Sequence, residues 1–363
     1  MKKIVTVVGA RPQFIKLAVV SRALRRRSDD FQEVLVHTGQ HYDHNMSDVF
    51  FEEMDIPKPD YNLGISGGSH GEMTGKMLIE IEKVLMKEQP DMLLVFGDTN
   101  STMAAALAAV KLHIPVCHVE AGNRLGTLDN PEEVNRIVTD HVSALQLVCT
   151  PSGMDFLKKE GFGPSAYLVG DPMYDAFRYY TDRLDGRELS EIVDFDGKPV
   201  TLPAEFYYMT CHRQENTDTD EKLRAIFDAM ESLDAPTVYP VHPRNHDRAA
   251  RLVVQHGYQK IILTQPVGYQ TSISLVNHAK KIVTDSGGLQ REAFFAKKQC
   301  VTVFDYVSWP ETLVNRCNQM AKPDKNDILT KLSAPVTFDP AYQPFGDGHS
   351  AEKIVEKIED YLA

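Results

Sequence analysis

Short apolar runs rich in β-branched residues recur along this chain, and between them lie longer stretches in which apolar positions return every three or four residues. The runs Ile4–Val8, Glu33–Val36, Met92–Phe96, Pro115–Val119, Leu145–Cys149 and Ala166–Val169 predict strands, and Pro12–Arg27, Glu72–Lys87, Ser101–Leu112 and Glu132–Ser143 predict helices. Most of these strands lack polar alternation, as expected where helices cover both faces of a parallel sheet. The pattern pauses at Thr181–Leu202, a polar, acidic stretch, and resumes with Glu205–Thr210, Thr237–Val241, Lys260–Leu263, Lys281–Thr284 and Gln299–Val303. Glu352–Leu362 predicts a closing helix.

Two α/β domains, each a doubly wound parallel sheet, are therefore expected, and 363 residues are enough for both cores. The divisions are placed at 1–175 and 176–348, with a C-terminal helix, 349–363, packing back on the first domain. Ligands of such sheets bind beyond the carboxyl ends of the strands, here in a cleft between two domains, so chemistry is sought just after each strand.

Composition narrows the partners. Asp and Glu outnumber Lys and Arg by 51 to 39, and a net charge of −12 opposes nucleic-acid binding while leaving small anions open to a few fixed cations. No apolar run approaches the roughly 20 residues of a membrane helix. Five cysteines, none spaced C-x-x-C, read as buried thiols in a reducing compartment, and the expected location is the cytoplasm, with no membrane partner.

Several strand exits carry candidate chemistry. The first, Gly9-Ala10-Arg11-Pro12, is not the G-x-G-x-x-G turn of a dinucleotide site, and no NAD or other cofactor is expected. Gly346-x-Gly348-x-x-Ala351 has that spacing but too little chain after it. Arg11 and Lys16 flank a helix start, as cations for a diphosphate or as a solvated basic face. Asp98 follows Met92–Phe96 and is either a working carboxylate or a helix N-cap. Glu120 stands at the corresponding edge of the next strand, and two acids on one rim are harder to explain structurally. Glu132 and Glu133 open a helix whose dipole alone accounts for acids there, better for Glu133 than for Glu132. In the second half, His212-Arg213 leaves a strand as a candidate phosphate clamp or acid, and His242 repeats the theme one strand later. His242 with His246 has metal spacing without a third ligand, and no metal is expected; His37, His41 and His44 are treated alike. In Thr284-Asp285-Ser286-Gly287-Gly288-Leu289-Gln290-Arg291-Glu292 a strand turns through two glycines into a helix, which suits either a phosphate cradle with Glu292 on a ribose or a plain tight turn.

Taken in order, GARPQFIK, TGQH, GDTNST, HVEAG, PEEVNR, CHRQEN, HPRN, TDSGGLQREA and PFGDG resemble the non-hydrolysing UDP-N-acetylglucosamine 2-epimerases across essentially the whole chain. HTGQHYDHNMSDVFF, IPKPDY and GDTNSTMAAALAAVKLH resemble the branch acting on UDP-2,3-diacetamido-2,3-dideoxy-glucuronate. The resemblance implies two Rossmann-like domains in a GT-B-like arrangement with the active site in the inter-domain cleft, usually a homodimer, and a UDP-sugar partner. It implies interconversion of UDP-GlcNAc and UDP-ManNAc by elimination of UDP to a 2-acetamidoglucal and re-addition. The diacetamido uronate nucleotide is the alternative substrate; a hydrolysing 2-epimerase or a GT-B glycosyltransferase is the alternative activity.

By the same resemblance Asp98, Glu120 and Glu132 match catalytic carboxylates, and His212 with Arg213 a leaving-group clamp. Arg11, Lys16 and Arg136 line the same cleft, His242 joins the substrate-binding set, and Ser286, Gly287, Gly288 and Glu292 hold the UDP phosphates and ribose. The departures are Asn123 where many relatives have Leu, the stretch Phe304–Glu311, Ser272 near the uracil position, and Tyr42 where some relatives carry a regulatory Arg.

Overall fold

The structure is a computed structural model, and it describes residues 1–40 and 50–363. The chain divides into two compact units, Met1–Arg178 with Gln343–Ala363, and Tyr179–Tyr342. Sequence pattern alone puts the divisions at 175/176 and 348/349. Hydrogen bonds account for the difference at the second division. Asp171 N donates to Phe345 O at 2.9 Å and Ala351 N to Asp175 Oδ2 at 2.7 Å, which stitches the segment after Gln343 to the first unit.

The first unit holds a seven-stranded sheet of β1 (Lys2–Val8), β2 (Phe31–His37), β3 (Tyr61–Asn62), β4 (Met92–Phe96), β5 (Val116–Ala121), β6 (Leu145–Val148) and β7 (Ala166–Leu168), in the order β3-β2-β1-β4-β5-β6-β7. All its pairings are parallel. Val5, Val7, Leu93 and Val95 pack with Met77, Ile81 and Leu85 of α2 (His70–Glu88), and with Ala104, Ala105 and Ala108 of α3 (Asn100–Lys111). The run of alanines lets α3 lie close to α2 and the sheet. Helix α1 (Arg11–Arg25) follows β1, and α4 (Pro131–Val142) follows the β5 exit loop. The last helix, Ser350–Leu362, buries Ala351, Ile354, Val355 and Ile358, one apolar stripe, and is held to the end of α1 by Arg27–Glu359 and Arg26–Glu352 ion pairs.

The second unit repeats the plan with a six-stranded parallel sheet of β8 (Tyr207–Thr210), β9 (Thr237–Pro240), β10 (Ile261–Thr264), β11 (Ile282–Thr284), β12 (Cys300–Thr302) and β13 (Asn318–Met320), in the order β10-β9-β8-β11-β12-β13. Its core joins Met209, Tyr239, Val283 and Val301 to Leu223, Phe227, Met230 and Ile328. The expected strands appear in both sheets; β3 and β13, edge strands of two and three residues, are too short to leave a period in sequence. All five cysteines are buried and unbridged. No helix among the described residues is long and apolar enough to cross a membrane.

Both sheets reverse winding direction once, between β1 and β4 and between β8 and β11, and such a reversal leaves an opening at the carboxyl ends of the strands. The backbone is forced at one glycine beside the first of these. Gly122 has φ +83°, and a Cβ there would lie 2.4 Å from the carbonyl oxygen of Gly153. Gly126, at φ +78°, has open space around it. Gly122→Ala is expected to lower the urea-unfolding free energy by at least about 1 kcal/mol more than Gly126→Ala, because both pay the left-handed strain and only Gly122 pays a backbone clash. Equal losses would refute the close approach.

Candidate active site

The exits of β1, β4 and β5 form one connected polar cluster. The Gln13 side chain accepts from Gly9 N at 2.7 Å and Ala10 N at 2.9 Å, and donates to Phe96 O at 2.8 Å, tying the first turn to the second. At that second turn Gly97 takes φ +61°, and a Cβ on it would meet Glu120 Oε1 and Lys16 Nζ at 3.4 Å each. The absent side chain lets the acid of the neighbouring strand lie over the turn that carries Asp98.

Asp98 is not a helix cap. Thr99 is the N-cap of α3 and accepts from Thr102 N, which leaves the Asp98 carboxylate to Arg136, 2.5 Å away. Asn135 donates to Asp98 O at 2.9 Å, so two adjacent residues of α4 hold the acid by backbone and side chain. Glu120 interrupts the register of β5 on β6 and takes φ +73° while almost fully buried. Such a conformation in a non-glycine residue persists only where surroundings impose it. Here Lys16 does so from α1, its ammonium 2.5 Å from Glu120 Oε2. Lys16 is committed to that carboxylate, and the Arg11 guanidinium lies 4.4 Å over the Phe50 ring.

The two acids that open α4 part ways. Glu132 is exposed, with its backbone N–H capped by Asn130. Glu133 is buried, accepts from Leu125 N at 2.8 Å and Gly126 N at 3.0 Å, and pairs with Arg136 at 2.8 Å. The dipole explanation, which suits Glu133 better in sequence, thus understates it. Burial disfavours the Arg136 charge, but Asp98, Glu133 and Glu120 outweigh that and raise its pKa.

Behind the acids lies a second row that spacing does not single out. His118 is fully buried, its Nε2 2.7 Å from Gly97 O and its Nδ1 2.7 Å from Asp140 Oδ1. Asp140 Oδ2 accepts from Gly122 N at 3.1 Å and Arg124 at 2.7 Å. Burial pushes the Asp140 pKa up, yet His118 and Arg124 more than offset it and hold it below the ordinary carboxylate value. The available signal was a histidine inside an otherwise apolar strand, which must find partners when buried.

In the second unit, the exits of β8 and β11 meet around Asp285, which is wholly buried. It accepts from His212 N at 2.9 Å and Arg213 N at 2.8 Å, and Oδ1 lies 3.0 Å from His212 Nδ1. Desolvation opposes its ionisation, but the His212 imidazole and these N–H groups outweigh it and lower its pKa. Arg213 donates through Nε to Asp285 O at 2.9 Å and through Nη1 to the Tyr306 hydroxyl, lying 4.6 Å over the Phe304 ring. The His242 ring stacks 6.4 Å from that of His212 and accepts from Arg244 N. Ser286 caps the helix Gly287–Phe295 by accepting from Leu289 N at 3.3 Å, and Glu292 is buried in that helix. Gly287 and Gly288 are its first residues, so their N–H groups open the helix.

The sequence-derived candidates divide between the units, Arg11, Lys16, Asp98, Glu120, Glu132 and Arg136 lying in the first and His212, Arg213, His242, Ser286, Gly287, Gly288 and Glu292 in the second. Lys16 meets Glu120 and Arg136 meets Asp98, whereas Glu132 stands exposed at the start of α4. His41, Tyr42 and His44 lie outside the described residues. Gly346, at φ +90°, serves packing: a Cβ there would lie 3.0 Å from Gly170 Cα. Glu120, Cys149 and Asp171 offer ligand atoms within 4.8 Å of one another, but the Lys16 ammonium already supplies Glu120 with the positive charge a metal would bring.

Comparison with known proteins identifies the family. The sequence model of the UDP-N-acetylglucosamine 2-epimerase family matches residues 22–359. A Methanococcus maripaludis protein described as a UDP-N-acetylglucosamine 2-epimerase homolog is 44% identical, the match covering 98% of this chain and 99% of that one. The UDP-2,3-diacetamido-2,3-dideoxy-D-glucuronate 2-epimerase of Pseudomonas aeruginosa is 43% identical over the same shares. The crystal structure of Methanocaldococcus jannaschii UDP-GlcNAc 2-epimerase in complex with UDP-GlcNAc and UDP superposes with a TM-score of 0.87 at 36% identity, covering 99% of each chain. The chain belongs to the UDP-N-acetylglucosamine 2-epimerase family.

Two measurements check the electrostatics. Lys16→Met strands a buried carboxylate and is expected to cost about 3–5 kcal/mol of stability, much of it recovered in Lys16→Met/Glu120→Gln; full additivity in denaturant unfolding would contradict the pair. Asp140 and Asp285 have depressed native pKa values, so their stabilisation is complete above about pH 4 and is lost as pH falls through the native values. Asp140→Asn should flatten the acid limb of stability against pH, and an unchanged limb would contradict its ionised state.

Proposed function

We propose that this chain interconverts UDP-GlcNAc and UDP-ManNAc without hydrolysis, with acids of the first unit in proton transfer and the glycine turn of the second in phosphate binding. The observation that carries this reading is the pair of acids, Asp98 and Glu120, delivered by adjacent strand exits and each held by a cation from another helix. Two carboxylates each paired with a cation in a largely buried cluster suit proton transfer more than simple group transfer. Family membership and the relatives described above supply the substrate class.

The C2 proton of the sugar is not beside a carbonyl, so its removal needs a prior change at C1. In the proposed reaction the C1–O bond breaks and its electron pair leaves with the β-phosphate oxygen of UDP. A carboxylate takes the C2 proton, and the C1=C2 double bond of 2-acetamidoglucal forms. Proton return to the opposite face of C2 and re-addition of the UDP oxygen at C1 give the epimer. Asp98, Glu120 and Glu132 share the proton transfers. Lys16 and Arg136 fix Glu120 and Asp98, and Arg11 stands at the same strand-exit edge. His212 and Arg213 stabilise the departing charge; the N–H groups of Gly287 and Gly288, with Ser286, take the phosphates; Glu292 takes the ribose and His242 completes the set.

A second substrate, UDP-2,3-diacetamido-2,3-dideoxy-glucuronate, is favoured by the similarity to the Pseudomonas aeruginosa enzyme and by the stretch Phe304–Glu311, whose Tyr306 bonds Arg213. We further place the enzyme in the cytoplasm, in cell-surface polysaccharide biosynthesis, as a homodimer. For the dimer, Ile79 and Met86, seven residues apart on α2, are both exposed.

Incubation of each nucleotide sugar in D2O, without added NAD or metal, is expected to place deuterium at C2 as the manno epimer accumulates by NMR. Unlabelled substrate from both would end the epimerase reading. Asp98→Asn is expected to lower exchange by about 10²–10⁴-fold while UDP still binds; an unchanged rate would remove its assigned role. Light scattering should give twice the monomer mass, and Ile79→Glu should reduce it; a monomeric parent would refute the dimer.

A further inference from the structure

The second unit carries an ionisable group that the reaction as written does not use. Asp285 is wholly buried and leaves β11 beside the exit of β8. Its two oxygens are divided between tasks. Oδ2 takes Arg213 N at 2.8 Å, His212 N at 2.9 Å and Asn216 Nδ2 at 3.3 Å, while Oδ1 shares the His212 N–H at 3.0 Å and alone faces His212 Nδ1, also at 3.0 Å. The His212 side chain is otherwise 43% exposed, and among the described residues nothing bonds its Nε2.

An ionised carboxylate can only accept, so the nitrogen facing it must carry hydrogen. We infer that Asp285 is a positioning residue that holds His212 as its Nδ1–H tautomer, so that Nε2 is the atom the imidazole offers to the departing diphosphate. The inference rests on the reading of His212 as part of the leaving-group clamp. In the charged imidazole, Nε2–H donates to the β-phosphate oxygen as the C1–O bond opens. If that proton is passed on, it leaves from Nε2 and returns there, while the other proton stays on Nδ1, donated to Asp285 Oδ1. The carboxylate also fixes ring orientation through the backbone, because the same side chain anchors the His212 and Arg213 N–H groups. One buried acid therefore sets both the position and the hydrogen-bonding sense of the exposed ring.

Asp285→Asn separates these tasks. The two backbone N–H groups still require an acceptor, which keeps the amide oxygen at the Oδ2 position and turns the amide N–H toward Nδ1. The imidazole must then accept at Nδ1 and carry its hydrogen on Nε2. The measurement is 15N NMR of the imidazoles in the ligand-free full-length protein, with His212 assigned by His212→Asn. In the parent protein neutral His212 is expected to carry hydrogen on Nδ1, and in Asp285→Asn on Nε2. Turnover should fall by about 10²-fold or more in Asp285→Asn with KM changed only a few-fold, and the same substitution should add little in a His212→Asn background. A parent protein with hydrogen on Nε2 overturns the inference, as does a loss that persists in full when His212 is already gone. The tautomer is read without substrate, so a parent enzyme that fails to exchange C2 would reject the epimerase reading and leave this assignment standing.

Discussion

A parallel sheet wound in both directions must reverse once, and at the reversal neighbouring strands send their connections to opposite faces. That constraint acts twice in this chain, between β1 and β4 and between β8 and β11. It leaves backbone groups and side chains at the strand exits without the cover of a crossing helix. The chemistry-bearing residues of each unit stand on the two strands that flank the reversal or on a next neighbour: Asp98 and Glu120 in the first, His212 and Asp285 in the second.

Placing acids there creates a difficulty that the rest of each site answers. Carboxylates near a buried sheet edge lose hydration and need fixed partners in its place. Lys16 answers for Glu120, Arg136 for Asp98, and backbone N–H groups with His212 for Asp285. The left-handed backbone at Glu120 and the bare Cα of Gly97 belong to the same arrangement, because they bring one acid over the turn that carries the other. His118 then locks that turn from behind through Gly97 O, and Asp140 and Arg124 lock His118. Rigidity of this kind keeps proton donors and acceptors at fixed distances, which the proposed elimination requires.

Much of this was legible in the residues. Runs of β-branched residues without polar alternation marked the long central strands, since burial on both faces leaves no other pattern, and the acids and His-Arg pair were found by looking just past strand ends. The short edge strands Tyr61–Asn62 and Asn318–Met320 left no such trace. Nor did spacing separate the groups proposed to react from those that support them. Lys16 reads as a free cation until its partner on β5, far away in sequence, is brought beside it. Glu133 reads as a first-turn acid until the loop N–H groups it accepts from are in place. Asp285 stood inside a quoted motif, but its partners come from a strand more than seventy residues earlier. Long-range pairing is set by topology, which a local pattern does not carry.

The central claim is that C1–O cleavage precedes inversion at C2. It is tested most directly with UDP-sugar carrying 18O at the oxygen that bridges C1 and the β-phosphorus, followed by 31P NMR during turnover. Release of UDP from the sugar frees that oxygen to exchange places with the non-bridging β-oxygens, and the account predicts such scrambling in step with formation of the epimer. Complete epimerisation with the label still wholly in the bridge would contradict it.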